Sequence, residues 1–582
     1  MTPNTSSSIT LRWFDYTIFA GTLVLSTLIG IYYGCFGTKQ GTTREYLMGG
    51  KTMKIIPIAI SVAVSHIAGV MLLGTAADVF RYGASIWLFV VSIIVMGFLT
   101  NFLYLPVFFK LRLRNIYNYL EKRFDKRTRT LAIVFYVISE ILLFPVHAYS
   151  PSLTFATASG FNVNLVAFIL CAICVFYTSI GGFNTVIWTD LLQFTIIVAS
   201  FICIYVIGLG KSEGFVSVWN TAVAGQRLQV FNFDIDPTVR DSFWGYLIGF
   251  GSSFTAYVAM RQTGIQKFLT LGKSTDLKWS VLCTVISLSV VQTLCVFVGL
   301  VVYAKYKDCD PLTSHMISKH DQIFPYFVTE IGASVPGISG LFIAAICSGS
   351  LSSMSSNLNA LSGVIYKDIV YFFLKKNLSD KSGSGILKVI VLVVGTLCTC
   401  LVFIIGLLGE IISISLLVSA LTQGPLLGLF TLGILFPKAN SKGAFYGSLG
   451  GLIAVAFLAL PAKYYEMRGF IKYPTKPLSL SGCALFNQTS TESNFTTFTT
   501  TVLNETVTFQ PPSIFKITFF YYTFFGAIMT IIFGLIISYM SKSDFLVDRK
   551  LLSPLIYKYL PEECRQEERI SCVSLQDPSE IQ

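Results

Sequence analysis

Apolar runs of about twenty residues, separated by short polar stretches, recur along the chain from residue 14 to residue 540. A helix needs roughly 20 apolar residues to cross the hydrocarbon core of a bilayer. Thirteen segments meet that need, near 14–35, 55–76, 84–109, 130–153, 162–181, 184–209, 243–262, 279–304, 334–358, 387–409, 411–436, 443–462 and 516–540. The two-residue alternation of barrel strands is missing, and helices and closed barrels are the only structures that span a bilayer. The pattern therefore predicts an all-α polytopic membrane protein. Residues 2–8 are polar and uncharged with no basic start, so the first apolar run is expected to be a retained helix, not a cleaved signal.

Composition agrees: of 582 residues, 53% are hydrophobic and 12% charged. Charge then orients the spans. The segment Lys110–Arg129 carries eight Lys/Arg residues and is expected to be cytoplasmic. That puts the N-terminus outside and, after thirteen crossings, the C-terminus inside. The loop 463–515 then faces outward, and it carries three glycosylation sequons, at Asn487, Asn494 and Asn504. A fourth, at Asn4, agrees; one at Asn377 falls in a loop placed inside and is read as an unused match. The net charge of +12 resides mostly in the cytoplasmic loops, which suits apposition to anionic lipid and not nucleic-acid binding. Most of the thirteen cysteines fall within spans; Cys309 and Cys483 fall in outside loops, where a disulfide is chemically allowed. No Walker, Rossmann or HExxH pattern supports an ATP-driven pump or an enzyme.

Candidate chemistry concentrates in two spans. Six serines lie between Ser348 and Ser356, with Asn357 and Asn359 close behind and Gly349 one turn before Ser353. Small residues of this kind serve either close helix packing or, through their oxygens, a hard cation such as sodium. In the second span, Val64-Ser-His-Ile-Ala-Gly69 mixes β-branched residues, polar side chains and a glycine. That composition suits either a glycine kink or a helix broken at the midplane with carbonyls free for an ion. His66, ionisable at membrane depth, is a functional candidate, and His147 looks more ordinary. Asp190 is read both as a helix-terminus partner and as an attractor for a cation leaving inward. Asp78 and Arg81 are placed to make a local ion pair.

The chain resembles the sodium/solute symporter family, and within it the branch of sodium-coupled monocarboxylate, multivitamin and iodide carriers. The resemblance rests on Leu73–Gly83, on Gly181–Asp190 with its double glycine, on Asn232–Pro237, Lys307–Pro311 and Asp321–Phe327, and on Ser348–Ser353. About the last forty residues lie outside it. The resemblance implies an inverted-repeat core of five plus five helices. An extracellular stretch 1–13 and an extra helix 14–35 precede repeats 55–209 and 243–436. Two helices within 443–540 and a cytoplasmic tail 541–582, read as disordered, follow. Carried over by position, the sodium ligands are Val64 and Ile67 on the broken helix and Gly349, Ser352 and Ser353 on the serine helix. His66, Met71, Tyr257 and Ser356 are implied to face the substrate, with Tyr257 near an aromatic inner gate. His66, Thr185 and Arg261 depart from the branch's usual residues; Arg261 is expected to bind lipid head groups or alter the inner gate.

Together these features predict a plasma-membrane symporter that couples sodium to import of a small organic anion, with no covalent chemistry and no cofactor. Sodium is a co-transported ligand. The competing readings are a biotin, pantothenate or iodide carrier, and a sodium-gated sensor or leak channel.

Overall fold

The computed structural model describes residues 11–36, 43–49, 53–113, 115–317, 319–370, 380–405, 411–483, 511–541 and 547–559. All regular elements among them are helical. The long ones are α1 (Trp13–Ile31), the pair α2 (Ile55–His66) and α3 (Gly69–Tyr82), α4 (Ala84–Lys110), α5 (Lys126–Ser159) and α6 (Val163–Lys211). A π-helical turn, Gly245–Phe250, leads into α7 (Gly251–Ala259), followed by the short α8 (Gln262–Phe268). Then come α9 (Ser274–Tyr306), α10 (Ile338–Ile365), α11 (Asp380–Ile405), α12 (Ile411–Leu435), α13 (Ser441–Met467) and α14 (Tyr522–Met540).

Local chemistry explains where these helices start and stop. The Asp125 carboxylate accepts the Thr128 N–H at 2.8 Å and caps α5, and Gly160 at φ 76° ends it. Asn162 caps α6 in the same way. At α2 the helix ends on Ile67 (φ −95°, ψ 80°) and Ala68 (φ −73°, ψ 153°), and α3 leaves at 61° to α2. A second break separates α7 from α8, where Arg261 is extended (φ −102°, ψ 140°). Each half of the core thus opens on an interrupted helix, the arrangement that marks binding sites in inverted-repeat transporters.

Ten helices are long and apolar enough to cross a membrane among the described residues, or eleven when α2 and α3 count as one span. That is fewer than the thirteen expected, for two reasons. The 49 residues of α6 are about 70 Å of helix, roughly twice a bilayer core, but Gly182 (φ 57°, ψ −154°) interrupts them. The span expected near 243–262 is divided among the π turn, α7 and the start of α8, each too short alone.

α10 forms the centre of the molecule. It is enclosed on nearly all sides and packs on α1, α2, α5 and α6. α9 crosses both α2 and α3. Outside the core, α12, α13 and α14 pack together through glycines: a Cβ on Gly447 would lie 2.7 Å from Gly534 Cα. Cys309 and Cys483 are joined as a disulfide that ties the loop after α9 to the loop after α13. The sequon residues Asn487, Asn494 and Asn504 lie outside the described residues. The tail corrects the expectation of disorder over part of its length. Leu551 and Leu552 are buried, the Ser553 N–H donates to the Ile434 carbonyl at 3.1 Å, and Tyr119 Oη donates to Leu551 O at 3.0 Å.

Gly182 occupies a backbone region essentially closed to other residues, so Gly182→Ala is expected to destabilise the protein by about 1–3 kcal/mol. Thermal unfolding in detergent checks this. An unchanged midpoint would mean that the break relaxes into continuous helix.

Candidate ion and substrate sites

The break in α2 lies against the serine-rich face of α10. Gly349 is required there: a Cβ in its place would stand 2.7 Å from the Ile67 carbonyl oxygen. Ser353 Oγ lies 2.9 Å from the Ser65 carbonyl and 3.0 Å from that of Gly349, and the Ile67 N–H reaches back to Val64 O at 3.1 Å. Val64, Ile67, Gly349, Ser352 and Ser353 are all buried at this crossing. The donors on offer are neutral carbonyls and hydroxyls, the set that suits a hard monovalent cation. Among the described residues no group of three His, Cys, Asp or Glu side chains could hold a transition metal.

Beside the crossing lies a buried charge pair. Asp190, on α6, is 0% exposed and Lys267, on α8, 2%. Lys267 Nζ donates to Asp190 Oδ2 at 2.9 Å, Ser65 Oγ at 2.6 Å, Ser356 Oγ at 2.8 Å and the Ser61 carbonyl at 3.1 Å. Ser352 Oγ donates to Asp190 Oδ1 at 2.5 Å, and Ser61 Oγ donates to Oδ2. A hydroxyl that gives its hydrogen to a carboxylate keeps its lone pairs, so Ser352 remains able to face a cation.

A cavity of about 180 Å³ adjoins the break and is lined by His66, Met71, His147, Phe254, Tyr257 and Gln423 among others. His66 packs edge-on to Tyr257, with ring centroids 4.9 Å apart, and its Nδ1 lies 2.7 Å from the Val62 carbonyl. One ion pair lies in the cavity wall, where Arg240 donates to Asp78 at 2.8 Å and stacks on Tyr82. A second lies behind the wall residue Tyr257: Arg261 is 4.5 Å from the Tyr257 ring centre, and its Nε donates to Glu140 at 2.7 Å. His147 is buried with neither ring nitrogen hydrogen-bonded, and Gln423 Nε2 is likewise unpaired. Both residues belong to the cavity wall, and a solute satisfies these atoms once their side chains turn toward it.

Several expectations change here. Asp78 takes its charge partner from across the fold, Arg240, while the Arg81 guanidinium lies over the Tyr82 ring. Arg261 is buried against Glu140, away from lipid head groups, because α8 turns it inward. Ser356 bonds Lys267 and Ser65 and is not part of the cavity wall, whereas Met71 and Tyr257 are. Asp190 sits within the packed core beside Lys267, not at a free helix end. The sequence reading did not single out Glu140 or Lys267, and it took His147 as ordinary. Glu140 carried a usable signal, since an acidic residue inside an apolar span is a functional candidate by itself.

The fold and these sites define a membrane transporter of the inverted-repeat class. The family described as the sodium:solute symporter family matches residues 46–451, and the chain belongs to it. Sodium-coupled monocarboxylate transporter 2 of Mus musculus is 35% identical over 530 residues, covering 90% of this chain and 84% of that protein. Sodium-coupled monocarboxylate transporter 1 of Xenopus laevis is 33% identical over 590 residues, covering 99% and 94%. A solved structure described as the substrate-bound outward-open state of a Na+-coupled sialic acid symporter superposes with a TM-score of 0.74. It is 21% identical and covers 92% of this chain and 100% of that one, a likeness of fold. The resemblance read from the motifs holds, and the family makes the chain a transporter and not an enzyme, with sodium as a ligand it carries.

Removing one partner of a buried ion pair leaves an uncompensated charge. Glu140→Gln is therefore expected to cost about 3–5 kcal/mol. Thermal unfolding should show a large drop for the single variant and recovery for Glu140→Gln/Arg261→Met. A single variant as stable as the parent would refute the pair.

Proposed function

We propose that this protein imports a small monocarboxylate across the plasma membrane together with sodium, by alternating access. The observation that carries the reading is the cavity: about 180 Å³, aromatic-walled, with the unpaired donors of His147 and Gln423 beside the broken helix. Pockets for drug-sized ligands run to about 300–1,000 Å³, so this one suits an acid of few heavy atoms better than biotin. The names of the monocarboxylate relatives support the same substrate class.

In this reading sodium is held by the Val64 and Ile67 carbonyls, the Gly349 carbonyl and the Ser352 and Ser353 hydroxyls. It draws the break in α2 onto α10. Because α2 also carries His66 into the cavity wall, ordering the break sets the wall that the anion meets. The bound cation supplies positive charge close to the buried carboxylate, which offsets part of its desolvation. His147 and Gln423 donate to the carboxylate, and Met71 and Tyr257 enclose its apolar part. His66, whose Nδ1 already bonds the Val62 carbonyl, contributes shape more than a free donor. Asp190 lies on the route by which sodium leaves.

With thirteen spans and the N-terminus outside, the Asp78–Arg240 pair lies toward the outside and the Arg261–Glu140 pair toward the inside. Entry of net positive charge is then driven by an inside-negative potential worth roughly 2.3 kcal/mol per charge per 100 mV. The same topology puts Asn487, Asn494 and Asn504 outside, where they can carry glycans.

Uptake of labelled lactate, nicotinate, biotin and iodide, in sodium and then in choline, tests the reading. Lactate or nicotinate is expected to enter only in sodium, and Ser352→Ala/Ser353→Ala is expected to abolish that entry while leaving surface protein intact. A sodium current with no solute uptake would instead mean a leak channel. His147→Phe removes a donor to a charged group, a loss of about 1.5–3 kcal/mol, and should raise KM for the acid roughly tenfold or more. The sodium activation constant measured at saturating acid should stay near the parent value. An unchanged KM would remove His147 from the site.

A further inference from the structure

A cleft of about 330 Å³ is lined by one stripe of α5 and by Lys367 and Asp368 of the π-helical turn Tyr366–Val370 that follows α10. Along α5 its wall runs from Lys126 and Arg129 to Ile133, Val134, Val137 and Ile138. Steps of three and four residues keep these side chains on one helix face. That face changes character along its length, charged in its first turn and apolar beyond Thr130. From Lys126 to Ile138 it extends about 18 Å, close to the roughly 15 Å of hydrocarbon in one leaflet. Val134 and Ile138 are exposed, so the apolar end opens to the bilayer. At the charged end three cations, Lys126, Arg129 and Lys367, meet two carboxylates, Glu121 and Asp368. Both carboxylates pair with Arg129, and Asp368 also accepts from Asn115 Nδ2 at 2.9 Å. Lys126 and Lys367 are exposed, and the charged end keeps an excess of positive charge.

We propose that this cleft binds an anionic glycerophospholipid, its phosphate and headgroup at Lys126 and Lys367 and an acyl chain along Ile133, Val134, Val137 and Ile138. A soluble anion would answer the lysines and leave the apolar stripe uncovered. A neutral lipid would cover the stripe and leave the excess positive charge unmatched. Only an amphiphile with a negative head meets both ends, and basic pockets between spans hold such headgroups. The acyl chain gains apolar contact with the stripe, and the headgroup gains charge-assisted hydrogen bonds from two ammonium groups. A headgroup touching both lysines bridges α5 to the end of α10, the helix that carries the candidate ion site. Supply of this lipid from the inner leaflet rests on the thirteen-span topology proposed above. The chemistry of the cleft rests on neither that topology nor symport.

Native mass spectrometry of the purified full-length protein in detergent, titrated with dioleoyl phosphatidylserine or dioleoyl phosphatidylcholine, tests this. The first phosphatidylserine is expected to bind roughly tenfold or more tighter than phosphatidylcholine. Lys126→Ala/Lys367→Ala should bring the two lipids to equal affinity, and Lys126→Arg/Lys367→Arg should keep the preference. Val134→Asn/Ile138→Asn, at the other end of the cleft, should weaken phosphatidylserine binding several-fold with both lysines intact. Glycerophosphoserine, the same headgroup without chains, should not displace the bound lipid. Equal affinity for the two lipids in the parent overturns the proposal, as does a preference that survives in the alanine variant. Displacement by glycerophosphoserine would make the cleft a site for a soluble anion and overturn the lipid. A dimer that binds no phosphatidylserine would mean that a second copy covers the stripe, and it overturns the lipid too. The readout is lipid binding and not transport, so it stands or fails separately from the symport reading.

Discussion

A helix broken inside a bilayer frees backbone groups that hydrocarbon cannot satisfy. The break after His66 is tolerated because α10 lies against it. The bare backbone of Gly349 admits the Ile67 carbonyl, and Ser353 bonds the Ser65 carbonyl. Much of the remaining architecture follows from this contact. α10 must be surrounded by protein, so α1, α5 and α6 pack around it, and α9 braces both arms of the broken helix. The oxygens proposed to bind a cation are those the break exposes, so the proposed ion site and the stability of the break rest on the same contact.

The second organising feature is where the buried charges sit. Three ion pairs each join a carboxylate from residues 78–190 to a cation from residues 240–267: Asp78–Arg240, Glu140–Arg261 and Asp190–Lys267. Two of the cations lie on or beside the second interrupted helix, α7/α8. A charge at membrane depth is costly alone, so these pairs favour particular arrangements of the two halves. Any motion that separates the halves must either keep each pair or replace it with an ion or solute of matching charge. Coupling of this kind is reciprocal, because whatever sodium does for solute affinity, solute must do for sodium.

Much of this was legible in the chain. The spans followed from apolar run length, and the two candidate ion-binding stretches from residues of the wrong polarity for lipid: the serines of 348–356 and the Ser65-His66 step before Gly69. The divided seventh span and the helix through Gly182 were less legible, because run length reports burial in the bilayer and not the local dihedral angles that end a helix. The buried stretch within residues 547–559 was missed for a related reason. Leu551 and Leu552 are too few to mark a segment as ordered until a surface exists to receive them.

The charged and polar residues of the site divide the same way. Serine, glycine and histidine placed in apolar helices point to a function from sequence alone, since lipid excludes such residues unless something satisfies them. Their partners do not. Lys267 meets Asp190 across 77 positions, Arg261 meets Glu140 across 121 and Arg240 meets Asp78 across 162. The sequence by itself determined an all-helical membrane protein of the sodium:solute symporter family and singled out the two helices that meet at the break. Which carboxylate neutralises which cation, which histidine is left without a hydrogen-bond partner, and that Ser356 bonds Lys267 were decided only by tertiary structure, because each depends on how distant helices rotate about their axes when they pack.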